Sequence, residues 1–262
     1  MRENLVRKRW AAGEPALGAW LTIPSSFSAE TMAHAGFDWV CIDMQHGVIE
    51  YAQAVLMLQG LSSTDVTPLI RVPWNEPGII GKSLDAGARG IIIPMVNSPE
   101  EARAAVAACR YAPLGKRSYG PLRANTHYGP DYFANANTDI ICLVMIETRQ
   151  AVEQVDAILS TPGVDAVYVG PADLSLTLGL SPAADHPEAI FKDALTRIVD
   201  SCRRHNVVPG TAGNAAVAPK RIEQGFRLVE VANDSRLLSA GAEQALRQVR
   251  PGVAPEKKSA YL

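Results

Sequence analysis

A chain of 262 residues with 47% hydrophobic content and a formal charge of −2 fits one large domain or two small ones and can bury a substantial core. Its 25 basic and 27 acidic residues are scattered, which offers nothing to nucleic acid or an acidic membrane. No apolar run reaches membrane-spanning length. The N-terminal MRENLVRKRW lacks the apolar stretch of a secretion signal. Cys41, Cys109, Cys142 and Cys202 form neither a zinc pattern nor a disulfide framework. They read as reduced thiols of a cytoplasmic protein.

The expected elements alternate. A short basic helix at 2–12, in an N-terminal segment 1–15, ends at Gly13-Glu14-Pro15. Strands are expected at 16–23, 37–44, 67–72 and 90–94, with helices at 29–35, 51–62, 77–86 and 99–110 between and after them. The order breaks at 111–139, a stretch rich in Pro, Gly, Asn and Tyr. It is too long for an ordinary connection and reads as an elaborated loop. Strand 140–147, helix 150–160 and strand 166–170 resume the pattern. Helix 188–205, strand 207–211, helix 219–224, strand 227–231 and helix 235–249 complete it, before a polar tail at 251–262.

Eight short apolar strands with little polar alternation are those of a parallel sheet buried on both faces. No G-x-G-x-x-G follows the first strand, which argues against a dinucleotide-binding sheet. The count predicts a single-domain (β/α)₈ TIM barrel over residues 1–262, with its active site at the C-terminal ends of the strands.

That architecture makes polar residues after strands converge. Asp43 and His46 follow the second strand, Arg71 ends the third, Glu147 follows the fifth, and Asp173 follows the sixth within Gly170-Pro171-Ala172-Asp173. Trp20, near the end of the first strand, joins them as a candidate substrate contact. Each has a plainer reading: a helix cap for Asp43 or Glu147, a surface turn for His46, a stabilising ion pair for Arg71 or Asp85, a tight turn for Gly170-Pro171. Their joint occurrence at five strand ends is what the plain readings leave unexplained. Glu147 and Asp173 belong to one strand–helix–strand unit and would emerge side by side. Two carboxylates on a dry face repel, and a hard cation such as Mg²⁺ resolves the conflict.

The chemistry this suggests is that of an enolate. A 2-keto acid chelates the cation, which acts as a Lewis acid at the keto oxygen. Arg71 donates to the same oxygen. His46 serves as general base, its tautomer fixed by Asp43 or Asp85. Backbone N–H groups of Gly170–Asp173 hold the substrate carboxylate. The Schiff-base alternative needs a lysine on a strand. None of Lys8, Lys82, Lys116, Lys192, Lys220, Lys257 and Lys258 falls in an expected strand.

With IDMQHG (42–47), RVPWNEP (71–77), LDAGARGIIIPMV (84–96), RYAPLGKRSYGP (110–121), MIETRQAV (145–152) and VYVGPADLS (167–175), the chain resembles the HpcH/HpaI aldolases, the class II metal-dependent pyruvate aldolases. The resemblance spans nearly the whole chain. It implies reversible retro-aldol cleavage of 4-hydroxy-2-keto acids to pyruvate and an aldehyde through an enolate stabilised by the cation. It implies Glu147 and Asp173 as ligands of Mg²⁺ or Mn²⁺, with Co²⁺ or Zn²⁺ accepted, His46 as base, Arg71 as pyruvate-binding arginine, Asp85 paired with His46, and Asp43 near Arg71. It also implies a homo-oligomer, a hexamer, that exchanges the C-terminal helix. Two positions depart from many relatives: Gln45 where Glu precedes the histidine, and Met145 in place of Gln.

Three rivals remain at this stage. A CoA-thioester lyase of the citrate lyase β-subunit type would need a basic site for the CoA phosphates. A phosphosugar aldolase or isomerase would use Gly210-Thr211-Ala212-Gly213-Asn214, where such barrels bind phosphate. A non-enzymatic barrel would not need the His46, Arg71, Glu147 and Asp173 set.

Overall fold

The computed structural model describes residues 3–250; the polar tail at 251–262 lies outside them. Eight strands, β1 (Ala16–Leu21), β2 (Trp39–Asp43), β3 (Thr67–Arg71), β4 (Gly90–Ile93), β5 (Ile141–Ile146), β6 (Ala166–Val169), β7 (Val208–Thr211) and β8 (Leu228–Asn233), pair in parallel in chain order. β8 pairs with β1, from Ala16↔Leu228 to Trp20↔Asn233 with a shift between Gly18 and Ala19, and this closes the barrel. The TIM barrel is therefore as expected.

The helices are α1 (Leu5–Ala11), α2 (Ser26–Ala33), α3 (Tyr51–Leu61), α4 (Pro77–Asp85), α5 (Pro99–Cys109), α6 (Leu122–Tyr128), α7 (Tyr132–Asp139), α8 (Arg149–Glu153), α9 (Val155–Leu159), α10 (Pro171–Thr177), α11 (Ala189–His205), α12 (Ala218–Glu223) and α13 (Asp234–Val249). Segment 111–139 is not only loop, since it carries α6 and α7. The helix expected at 150–160 is two short ones broken at Gln154. Asp173 does not end a strand but lies in the first turn of α10, which starts on Pro171 after Gly170. Pro at the first helical position loses no hydrogen bond, and an acid there suits the helix dipole.

Two apolar layers hold the barrel. Between strands and helices lies a large annulus of Val, Ile, Leu and Ala. Inside the barrel is a smaller set that includes Trp20, Trp39, Cys41, Leu143, Met145 and Tyr168. A Cβ at Gly18 would fall 2.0 Å from the Trp39 ring, so only glycine lets that indole fill the interior. α1 seals the N-terminal end of the barrel. Val6 is fully buried, Trp10 donates its indole N–H to the Arg227 carbonyl at 2.9 Å, and Arg7 reaches Asp165 at 2.9 Å. The C-terminal end is left as the working face. There the helix starts are pinned by side-chain caps, Ser25 on Ser28 N–H, Ser98 on Glu101 N–H, Thr148 on Ala151 N–H and Asn233 on Ser235 N–H.

Candidate active site

β2 and β3 run in register, Asp43 beside Arg71, so the two side chains meet. Arg71 donates from Nε to Asp43 Oδ1 at 2.8 Å and from Nη2 to Oδ2 at 2.6 Å, a bidentate pair. The Asp43 Oδ1 also accepts the backbone N–H groups of Gln45 and His46 at 3.0 and 3.3 Å. Burial pushes the Asp43 carboxyl up, but Arg71 outweighs it and holds the group below the usual carboxylate range. The Arg71 guanidinium lies over the Trp20 ring, 5.0 Å from its centroid, and Trp20 stacks on Tyr168 at 5.2 Å. Trp20 is thus buried beneath Arg71.

Glu147 leaves β5 with 2% exposure. Its Oε1 accepts the Met95 N–H at 2.7 Å. Burial drives its carboxyl up to about 7, and the charge of Asp173 adds to the rise. The Met95 N–H and Arg71 oppose it. Asp173 and Arg71 therefore both act on Glu147. A Cβ at Gly170 would fall 2.4 Å from Glu147 Oε2 and 3.1 Å from Met145 Cε. The glycine is what lets the carboxylate sit against the start of α10, and Met145 supplies an apolar wall beside it. Pro171 is buried, and Ala172 and Asp173 are half-buried. The N–H groups of Ala172 and Asp173 have no acceptor among the described residues.

Met95 itself was not legible as a site residue. Its φ of 57° puts a side-chain-bearing residue in the left-handed region, at a cost of about 1–3 kcal/mol. Asn97 holds it there by donating to the Met95 carbonyl at 2.8 Å, and Asn97 in turn accepts the Thr148 hydroxyl. The strain aims one backbone N–H at Glu147.

His46 lies on the exposed β2–α3 loop, and its ring makes no hydrogen bond among the described residues. The expected pairing with Asp85 is not made within the chain. Asp85 is the last residue of α4, a helix that runs back to the N-terminal end of the barrel, and its Oδ1 accepts from Arg117 at 2.7 Å. His46 and Asp85 thus occupy opposite ends of one barrel. Gln45 turns its Oε1 inward without a partner among the described residues.

Glu230 also escaped the sequence reading, although a carboxylate inside the apolar strand Leu228–Asn233 was the available signal. It is 6% exposed. Its Oε2 accepts the Gly213 N–H at 3.2 Å and faces the Tyr168 hydroxyl at 3.5 Å. Because Glu230 takes the Gly213 N–H, the Gly-rich turn after β7 presents a carboxyl where a phosphate would need donors, which argues against the phosphosugar reading.

The sequence profile described as HpcH/HpaI aldolase/citrate lyase matches residues 17–240. A hydroxypyruvate/pyruvate aldolase of Rhizorhabdus wittichii is 40% identical over 251 residues, covering 94% of this chain and 99% of that protein. A 4-hydroxy-2-oxo-heptane-1,7-dioate aldolase of Salmonella dublin is 39% identical over 247 residues, covering 92% of each. Among solved structures, a HpcH/HpaI aldolase/citrate lyase family protein from Burkholderia cenocepacia superposes with a TM-score of 0.87 at 34% identity, over 95% of this chain and 100% of that one.

Proposed function

The chain belongs to the HpcH/HpaI aldolase/citrate lyase family and is an aldolase-type carbon–carbon lyase, and we propose that it cleaves 4-hydroxy-2-keto acids reversibly to pyruvate and an aldehyde with a divalent cation on Glu147 and Asp173. The observation that carries this reading is the Asp43-braced Arg71 at the C-terminal mouth of the barrel, together with Glu147 held against the start of α10, whose first turn carries Asp173.

The donor set fits a hard cation. The charge of Asp173 opposes ionisation of the buried Glu147, and the missing Cβ at Gly170 lets the Glu147 carboxylate lie against the start of α10. Among the described residues no third His, Cys, Asp or Glu joins them. This suits Mg²⁺ or Mn²⁺, which take one or two carboxylates and fill the rest with water and substrate oxygens; Co²⁺ or Zn²⁺ are accepted by the same oxygens. When bound, the cation supplies Lewis-acid charge at the keto oxygen.

The chain's own groups do the rest. Asp43 uses the Nε and Nη2 of Arg71 and leaves Nη1 without a partner among the described residues. That N–H donates to the keto oxygen as charge develops there. Trp20 cushions the guanidinium and fixes its direction. The N–H groups of Ala172 and Asp173, at the Gly170-Pro171 turn, hold the substrate carboxylate. His46 removes the proton of the 4-hydroxyl as the carbon–carbon bond breaks.

The protein works as a homo-oligomer, a hexamer. α13 supports this: beyond Ser235 its side chains are exposed, apolar Leu237, Leu238, Leu246 and Val249 among them, as an exchanged helix would be in an isolated chain. Asp85 can serve His46 only from a neighbouring subunit. No helix among the described residues is long and apolar enough to cross a membrane. The four cysteines are free and buried, which fits a cytoplasmic location.

The test is exchange of pyruvate methyl protons in D₂O, followed by NMR. Excess chelator should stop it, and Mg²⁺ or Mn²⁺ should restore it. Undiminished exchange in chelator, or an imine trapped by borohydride, would sink the reading.

A further inference from the structure

Besides Asp43 and Glu147, the barrel interior contains a third buried carboxyl, which the mechanism does not use. Glu230 projects inward from β8, in register with Gly18 of β1. Its surroundings link it to the site by direct contacts: its Oε2 faces the Tyr168 hydroxyl, Tyr168 stacks on Trp20, and Trp20 lies under Arg71. The charge of Arg71 acts on Glu230 as it does on Glu147.

Glu230 is only half satisfied. One backbone N–H at 3.2 Å and one hydroxyl at the limit of hydrogen bonding share Oε2. The other oxygen, Oε1, has no hydrogen bond among the described residues, yet it is not sealed off as Gln45 Oε1 is. Placing a carboxyl inside an apolar barrel is costly in itself. The barrel does not require one here, since Leu228, two residues back on the same strand, fills the interior with hydrocarbon. Burial pushes the carboxyl up to about 7, so near neutral pH it is available as both donor and acceptor. An alcohol is the group that both gives and takes one hydrogen bond.

We propose that Glu230 is a specificity residue whose Oε1 hydrogen-bonds a hydroxyl group of the substrate, so that the enzyme favours hydroxylated over plain substrates. The inference rests on the aldolase reading. The hydroxyl can come from either reactant, from a 3-hydroxy-2-keto acid or from a hydroxyaldehyde. A site with a polar group aimed at a substrate hydroxyl discriminates against the analogue that lacks it, because its own group is then left unpaired.

The experiment measures kcat/KM for three pairs: pyruvate with propionaldehyde as baseline, hydroxypyruvate with propionaldehyde, and pyruvate with glycolaldehyde. Wild type is compared with Glu230→Met, which keeps the bulk, and Glu230→Gln, which keeps hydrogen-bonding capacity. One hydroxylated pair should lose at least ~10-fold relative to baseline in Glu230→Met and less than ~3-fold in Glu230→Gln. The pair that falls identifies the reactant that carries the hydroxyl. Should Glu230→Met not fold, Glu230→Ala makes the same comparison. Equal losses on all three pairs would show a merely structural carboxyl and overturn the proposal, as would unchanged ratios in every variant. Wild type that turns over the baseline pair but shows no hydroxyl preference overturns it alone; wild type inactive on all three pairs overturns the aldolase reading with it.

Discussion

Arg71 closes a two-pronged grip on Asp43, at 2.8 and 2.6 Å, with the side chains only 11% and 2% exposed. The carboxylate has a second task, since it also accepts the N–H groups of Gln45 and His46. One residue thus fixes the direction of the arginine and the loop of the histidine. Asp43→Ala leaves a buried guanidinium unpaired and is expected to destabilise the fold by about 3–5 kcal/mol. Asp43→Asn should cost less stability but still weaken keto-acid binding, as a raised KM. Arg71→Lys should not rescue function, because an ammonium cannot repeat the fork. Urea midpoints at constant m-value, with KM for the keto acid, check the set.

His46 and Arg71 separate by reaction. Aldol cleavage needs a base for the 4-hydroxyl proton. Decarboxylation of oxaloacetate reaches the same pyruvate enolate with no hydroxyl to deprotonate. Both develop charge on the oxygen that Arg71 is proposed to stabilise. His46→Ala should therefore reduce cleavage by ~10²–10⁴-fold and largely spare decarboxylation, whereas Arg71→Ala should cripple both. Since the two rates are read on one protein, misfolding cannot imitate the split. Equal losses of both reactions in His46→Ala, with metal affinity unchanged, would assign the histidine to positioning instead.

The barrel was legible because most strands are short apolar runs and the βα turns carry their own punctuation. The placement of Asp43, Arg71 and Glu147 at strand ends followed at once, since strand ends converge in such a barrel. Asp173 was found by position but not by element, because α10 is too short for its periodicity to show. Met95 had no signal at all: a left-handed backbone in a residue other than glycine leaves no mark on the chain. Glu230 did leave one, a charge inside an apolar strand, and only its hydrogen bonds to Gly213 and Tyr168 show where it points. Asp85 was offered with Asp43 as the carboxylate orienting His46, and resemblance chose Asp85; the direction of α4 keeps the two apart within one chain.

Glu230 makes a pH signature. Burial raises its carboxyl from the ordinary 4.5 to about 7, against the opposing pull of Arg236 and Arg71; Tyr168 and the Cys41 thiol are its other titratable neighbours. The folded state therefore holds this proton more tightly than the unfolded state does. The contribution to stability is full below pH 4.5 and is lost as pH rises through about 7. Glu230→Gln removes that loss. The variant should gain on wild type between pH 4.5 and 8, by about 3 kcal/mol at most. Metal-free urea denaturation at both pH values checks it, and Glu147, raised in the same window in both proteins, cancels in the difference. A gap independent of pH would mean that the carboxyl is not penalised by burial.

Asp85 tests the assembly. It ends α4 at the closed end of the barrel and binds Arg117, while His46 stands exposed at the open end. If the two form a pair, they do so between subunits, and each site takes its histidine from one chain and its carboxylate from another. His46→Ala and Asp85→Asn should each impair aldol cleavage when alone. Asparagine is chosen because it keeps an acceptor for Arg117 and so spares the fold. In hybrids formed by dissociating and reassembling the two variants together, some sites combine His46 of the Asp85→Asn chain with Asp85 of the His46→Ala chain. Those sites are wild type, and activity should return on mixing. The hybrids are verified by native mass spectrometry. Hybrids with no recovered activity would break the pairing, and a monodisperse wild-type monomer with full activity would remove the need for any neighbour.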